Sequence, residues 1–190
     1  MFDDIDKLKI NIDNAVKQFE IENPFTPGIT NVTSYVGYML LRLYETFFKP
    51  EKILPGKSHT LIDLDNIDLL NSLWDIYRTI CLKYGSTPTV QRYCTFIGIS
   101  RETFDRWKNQ ERRTSQHGDT AKRFLSDSES DLVARAVDSN SIGAIFALKA
   151  GFGYNDQAPQ TLTLKRGDET PLLSQEEIKQ RLELLEESND

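Results

Sequence analysis

Apolar residues recur at helical spacing along most of this 190-residue chain, and this periodicity limits its fold more than any other feature. The opening segment has an apolar stripe at positions i, i+3, i+7, i+11 and i+14 that stops before Asn23 and Pro24. In the first half of the chain, a strand-like alternation occurs only over residues 60–64, where it is short. The pattern therefore predicts an all-α fold whose first helix buries Ile5, Leu8, Ile12, Val16 and Phe19.

Two further helices are predicted before residue 85. Asn31 is expected to cap a helix that runs through Phe48 and is apolar on most sides, so this helix should be buried. A third helix is expected from about Asn66 to Tyr84, with Gly85 as its C-terminal stop. The inward side of this third helix would consist of Leu69, Leu70, Leu73, Trp74, Ile76, Tyr77, Ile80 and Cys81.

The composition excludes several classes of protein. A formal charge of −6 is not that of a broadly basic protein, and no run approaches the roughly 18 apolar residues of a membrane span. The acidic start of the chain lacks the pattern of a signal peptide, so we expect a soluble, cytoplasmic protein. Cys81 and Cys94 are expected to be reduced, packed thiols, and with only two histidines beside them no metal or cofactor site is predicted.

The charge is distributed unevenly along the chain. Residues 1–85 carry 9 basic and 12 acidic side chains, residues 86–125 carry 8 and 4, and residues 126–190 carry 6 and 13. The net charges of the three segments are therefore −3, +4 and −7. A basic segment between acidic neighbours is typical of a surface that contacts a polyanion such as nucleic acid.

The basic segment also has the pattern of two short helices joined by a tight turn. Thr87 and Pro88 are expected as the N-cap and first residue of the first helix. Gly98 is expected at the turn with a positive φ, and Ser100 is expected to cap the second helix. This combination is typical of the helix-turn-helix. The two helices would bury Val90, Tyr93, Cys94, Ile97, Phe104 and Trp107.

The outward side of the second helix carries side chains that can contact DNA. Arg and Asn can hydrogen-bond guanine and adenine edges, and further Lys and Arg can neutralise phosphates. Acidic residues on the same side leave a second interpretation open, in which the charges form helix-surface ion pairs and this side is solvated or binds protein. The candidate DNA contacts are Ser100, Arg101, Glu102, Asp105, Arg106, Lys108, Asn109, Arg112 and Arg113.

The segment after the second helix is polar, and residues 117–119 are expected to form a loop with His117 at the surface. Short helices are then expected over residues 132–137 and 142–150, with Gly151 as the stop, and together they predict a helical hairpin. This hairpin either supports the helix-turn-helix or contacts another copy of the chain. Its second helix would bury Ile145, Phe146 and Leu148.

From residue 157 onward the composition predicts an extended arm followed by a helix. Two prolines and an alternation of Thr and Leu over residues 161–164 indicate the arm. Ser174 and Glu177 fit a capping box that opens an acidic helix. A short one-sided helix cannot form its own core, so its apolar side is expected to bind a partner through Ile178, Leu182 and Leu185.

Two stretches resemble the small terminase subunit of tailed bacteriophages, the initiator of DNA packaging. They are residues 88–109, PTVQRYCTFIGISRETFDRWKN, and residues 139–156, SNSIGAIFALKAGFGYND, of which the second is the more particular. The resemblance implies an all-helical protein that binds double-stranded viral DNA through its helix-turn-helix and forms a ring-like homo-oligomer. It also implies recruitment of the large terminase subunit, which hydrolyses ATP and cuts DNA, in the bacterial host cytoplasm.

The sequence thus predicts a multi-helix protein in four parts. They are an N-terminal helical region (1–85), a helix-turn-helix region (86–125), a helical hairpin (126–156), and an arm with a docking helix (157–190). The first part places the helix-turn-helix further into the chain than in many small terminases. It would serve either oligomerisation or partner binding.

No enzyme activity is predicted. Residues 56–58, Gly-Lys-Ser, end like a phosphate-binding loop, but its first glycine is replaced by Glu51. Asp63, Asp65 and Asp68 lack the glycine and the distal glutamate of a calcium loop. Two alternatives to the terminase remain open: a helix-turn-helix transcriptional regulator, and a protein-interaction module whose helix-turn-helix does not bind DNA.

Overall fold

The computed structural model describes residues 5–52, 59–111, 114–139 and 141–154. These residues form seven α-helices, one π-helix and no strand, so the predicted all-α class is confirmed for them. The π-helix, Tyr44–Phe48, directly continues the second α-helix. The α-helices are α1 (Ile5–Glu22), α2 (Val32–Leu43), α3 (Ile67–Lys83), α4 (Val90–Ile97), α5 (Arg101–Lys108), α6 (Ser115–Ser139) and α7 (Ile142–Phe152).

The first three helices begin and end close to the predicted residues. Asn31 and Asn66 are the N-caps of α2 and α3, and their side chains accept hydrogen bonds from Ser34 N and Leu69 N at 2.9 and 3.0 Å. The α2 helix is less buried than expected, because Tyr38 on its outer side is exposed. The apolar stripe of α1 is buried as predicted at Leu8, Ile12, Val16 and Phe19.

Residues 60–64 do not form the strand that their alternation suggested. The Thr60 hydroxyl oxygen accepts a hydrogen bond from Ile62 N at 3.2 Å, and Asp63 Oδ1 accepts one from Asp65 N at 3.0 Å. Such side-chain bonds to nearby backbone groups stabilise turns in competition with strand pairing. The segment is therefore a loop that leads into α3. Its Ile62 side chain is buried in the main core.

The largest departure from the sequence expectation is α6, a 25-residue helix. The loop expected at residues 117–119 lies in its first turn, and the short helix expected over residues 132–137 is its C-terminal part. His117, expected at the surface, is only 2% exposed. The boundary drawn between residues 125 and 126 falls inside α6, so this helix continues from the basic segment into the hairpin.

Polar contacts with α3 explain why α6 was not recognised from its apolar periodicity. Trp74 Nε1 donates to Asp127 Oδ2 at 2.8 Å, and the Arg78 guanidinium donates to both carboxylate oxygens of Asp131 at 2.8 and 2.7 Å. Phe124 adds an apolar contact by stacking on Trp74 with ring centroids 4.5 Å apart. The inward side of α6 thus alternates carboxylates with apolar groups, which a search for an apolar stripe misses.

The hairpin of α6 and α7 has a small core of its own. Leu132, Ala144 and Leu148 are its buried residues, in a cluster separate from the main core. Phe146, which was expected to be buried, is 70% exposed. The α7 helix also continues past the expected stop at Gly151 and ends at Phe152, because the left-handed C-cap conformation is adopted by Gly153, with φ +76°.

No helix in the described part of the chain is both long and apolar enough to cross a bilayer. The arm and the docking helix predicted for residues 157–190, with Ile178, Leu182 and Leu185, lie outside the described residues.

The end of α3 is tied to α1 through Glu20. Lys83 Nζ lies 2.5 Å from Glu20 Oε1, and the Tyr84 hydroxyl donates to the same oxygen. These two hydrogen bonds, that from Lys83 first, hold the pKa of Glu20 below its ordinary value. The contact therefore stabilises the fold above the ordinary pKa of glutamate, and this stabilisation is lost as the pH falls through the lowered value of the folded state.

We expect Glu20→Gln to lower the urea midpoint of unfolding at pH 7, because the amide cannot replace the ion pair. The difference from the wild type should shrink as the pH falls through the folded-state pKa, where the wild-type carboxylate also becomes neutral. The matched control is Glu22→Gln, since Glu22 accepts a hydrogen bond from Gln18 at 2.9 Å on the exposed side of the same helix. If the two variants shift the urea midpoint equally, both at pH 7 and below the folded-state pKa of Glu20, this role of Glu20 is contradicted.

Candidate nucleic-acid interface

The first helix of the central pair, α4, begins two residues later than predicted. Thr89, not Thr87, is the N-cap, and its side chain accepts a hydrogen bond from Arg92 N at 3.3 Å. The reason is a tertiary contact: the Tyr77 hydroxyl donates to Thr89 O at 2.8 Å and accepts from Thr89 N at 2.7 Å. These two bonds fix Thr89 in an extended conformation on α3, so the helix starts only after it.

The turn between α4 and α5 has the conformation that the sequence predicts. Gly98 is left-handed, with φ +74° and ψ +34°, and Ser100 caps α5 by accepting a hydrogen bond from Thr103 N at 3.1 Å. A Cβ at position 98 would lie 2.3 Å from Tyr44 Cε2 and 3.0 Å from His59 O. Even an alanine there would therefore clash with the Tyr44 ring and crowd the His59 carbonyl. The Tyr44 ring is itself held by its hydroxyl, which donates to His59 O at 2.7 Å.

The α5 helix is anchored by Phe104 and Trp107, both of which are buried as predicted. The Trp107 ring meets the edge of His117 with centroids 5.6 Å apart. His117 Nε2 lies 2.9 Å from Leu64 O, and Nδ1 lies 2.9 Å from the Thr114 hydroxyl. Because a carbonyl only accepts, Nε2 donates, and in a neutral imidazole Nδ1 then accepts from Thr114. His117 thus links α5, the start of α6 and the loop before α3, a role that no sequence pattern indicated.

The predicted contact residues of α5 lie on its solvent-facing side. Ser100, Glu102, Arg106, Lys108 and Asn109 are exposed, and Arg101 and Asp105 are half-buried. Among the described elements, the α5 helix packs mainly on α4 and α6. The remaining candidates, Arg112 and Arg113, lie outside the described residues.

Two of the cations are paired with carboxylates of their own helix. Arg106 Nη2 lies 2.5 Å from Glu102 Oε1, and Arg101 Nε lies 3.2 Å from Asp105 Oδ1. The side chains of the first pair are 47% and 73% exposed, so water screens their attraction. Lys108 has no ion-pair partner within the described ranges.

The two thiols near this region are buried and unreactive. Burial raises the pKa of Cys94 to about 12 and that of Cys81 to about 11, so both are protonated at neutral pH. They are free cysteines, as the sequence predicts. Where the structure describes the chain, no three His, Cys, Asp or Glu side chains are grouped so that they could hold a metal ion.

Comparison with models of protein families finds none that matches this chain. No curated protein matches it either, and no solved structure does. The resemblance to small terminase subunits therefore remains a prediction from the sequence.

We expect Gly98→Ala to destabilise the fold by about 2–4 kcal/mol, the sum of a left-handed alanine and of the clash with Tyr44. Gly85→Ala is the matched control, because Gly85 also has a positive φ, +69°, but nothing lies within 4 Å of a Cβ built there. It should lose only about 1 kcal/mol, the cost of the backbone conformation. Urea unfolding measures both, and equal losses would contradict the packing of Tyr44 on the turn.

Proposed function

We propose that this chain is a non-enzymatic DNA-binding adaptor that presents α5 to the major groove of duplex DNA. On this proposal it acts as a small terminase subunit, which marks viral DNA for packaging, assembles into a ring and recruits the large subunit. Recruitment would use the apolar side formed by Ile178, Leu182 and Leu185, as the sequence pattern suggests. The alternative that would also bind duplex DNA through α5 is a helix-turn-helix regulator of a palindromic site.

The observation that carries the proposal is the contrast between the two sides of α5. Phe104 and Trp107 hold one side in the core, while Arg106, Lys108 and Asn109 stay in solvent on the other. Arg and Asn can each form two hydrogen bonds to a base edge, and Lys neutralises phosphate. The surrounding segment, residues 86–125, has the +4 charge that attracts a polyanion.

One observation favours a second candidate, a protein-interaction module. Glu102 and Asp105 lie on the same side of α5 and are paired with Arg106 and Arg101. Carboxylates repel phosphate, and a side that carries both signs of charge can also complement a charged protein surface. Neutralising Glu102 distinguishes the two candidates. It should strengthen binding to DNA, whereas it should weaken a mixed-charge protein interface by removing one of its charges.

We expect Arg106→Ala to weaken binding to a duplex selected from a random pool by about 1–3 kcal/mol, the value of a bidentate base contact. Glu102→Gln should strengthen binding to all duplexes, because it removes a negative charge next to phosphate. Fluorescence anisotropy at several salt concentrations measures both effects.

Lys9→Ala is the matched control for the loss of one positive charge. Lys9 is exposed on α1, which packs on α2 and α3 and not on α5. Its affinity for the selected duplex should equal that of the wild type. Equal affinities of Arg106→Ala and Lys9→Ala, or a pool that yields no preferred duplex, would favour the interaction module.

The oligomeric state separates the terminase from the regulator. Native mass spectrometry of the full chain should show a closed assembly of more than four copies if the protein is a small terminase subunit. A dimer that binds a palindromic duplex would favour the regulator instead. A monomer at micromolar concentration would contradict both assemblies.

A further inference from the structure

A cavity of about 200 Å³ lies where four helices meet beside the proposed DNA-binding side. The first turn of α4, the first residue of α5, the middle of α6 and the last turn of α7 line it. Leu125, Leu132 and Phe152 give it an apolar wall. Its volume is below the roughly 300–1,000 Å³ of pockets for drug-sized ligands, so it suits a small organic molecule.

One hydroxyl in this wall is buried without a partner. Ser128 lines the cavity and is 2% exposed, and its Oγ makes no hydrogen bond to any described residue. A buried hydroxyl without a partner destabilises the fold, and a helical serine usually avoids this by donating to the carbonyl four residues before it. A ligand atom that accepts a hydrogen bond would satisfy this group.

Other residues of the lining also supply hydrogen-bond donors. Val90 and Gln91 begin α4, where the backbone N–H groups of the first turn have no acceptor within the helix and the helix dipole favours negative charge. Arg101 uses Nε for Asp105 at 3.2 Å, which leaves its terminal nitrogens available. The lining of the cavity thus combines positive charge and hydrogen-bond donors with apolar contact.

We propose that this cavity binds a small monocarboxylate with a short alkyl chain. The carboxylate would accept hydrogen bonds from Ser128 and Arg101 at the first turn of α4, and the alkyl chain would contact Leu125, Leu132 and Phe152. A metal cation is disfavoured because Arg101 brings positive charge to the lining. A phosphate of duplex DNA is disfavoured because the apolar wall would be left against a charged polymer. The site shares Arg101 with the proposed DNA-binding side, but its test uses no DNA.

The test is a titration of the full ¹⁵N-labelled chain with hexanoate, followed by NMR without DNA. We expect saturable shifts at Val90, Gln91 and Ser128, and at least about tenfold weaker binding of hexanol, which has the same chain but no charge. Absence of saturable shifts, or equal binding of hexanol, would overturn the proposal. Neither result depends on whether the chain binds DNA.

Two variants of α6 decide whether Ser128 is part of the site. Ser128→Ala should weaken hexanoate binding several-fold without lowering the unfolding midpoint, because the hydroxyl it removes has no partner in the protein. Ser126→Ala, an exposed serine two residues earlier, should bind hexanoate like the wild type. Unchanged binding by Ser128→Ala, or an equal effect of both variants, would overturn the assignment.

Discussion

An eight-residue helix does not hold its shape alone in water, so α5 depends on the burial of Phe104 and Trp107. Everything proposed for its outward side follows from this constraint, because these two side chains set which residues remain in solvent. Each contributes roughly 1.5–3 kcal/mol by leaving water. Trp107 is in turn positioned by His117, whose two ring nitrogens are bonded to Leu64 and Thr114.

The scaffold behind α5 is an aromatic core to which the first part of the chain contributes directly. Trp74 of α3 stacks on Phe124 of α6 and meets Tyr93 of α4 edge-on, with ring centroids 4.5 and 5.1 Å apart. The buried hydroxyl of Tyr93 donates to Leu70 O at 2.8 Å. Tyr44, from the π-helix, closes the core at the α4–α5 turn. The described helices before residue 85 therefore support the candidate interface.

Local signals in the sequence predicted the elements that depend on local chemistry. Asn31 and Ser100 were predicted as caps because a side-chain oxygen before an apolar run accepts from the first helical N–H groups, and Gly98 was predicted because the turn needs a positive φ. The apolar stripe of α1 and the burial of Phe104 and Trp107 followed from periodicity in the same way.

What the sequence did not predict depends on tertiary contacts. The start of α4 at Thr89 is set by Tyr77, which lies 12 residues away along the chain. The continuity of α6 depends on Asp127 and Asp131, which resemble surface carboxylates until Trp74 and Arg78 are placed opposite them. For the candidate site, the outward residues of α5 could be read from their spacing. Ser128 and its cavity could not, because they exist only where four separate helices meet.

The charges on α5 bear on what kind of DNA binding it can support. The exposed pair of Arg106 with Glu102 contributes only about 0.3–0.5 kcal/mol, whereas a bidentate contact of arginine with guanine is worth about 1–3 kcal/mol. Exchanging the contact with Glu102 for one with guanine therefore gives Arg106 a net gain in free energy. Contact with phosphates alone offers no such gain, since Glu102 and Asp105 oppose it at every sequence. A helix with this side is better suited to recognising one site than to non-specific binding, as the proposed role of marking a single DNA sequence would require.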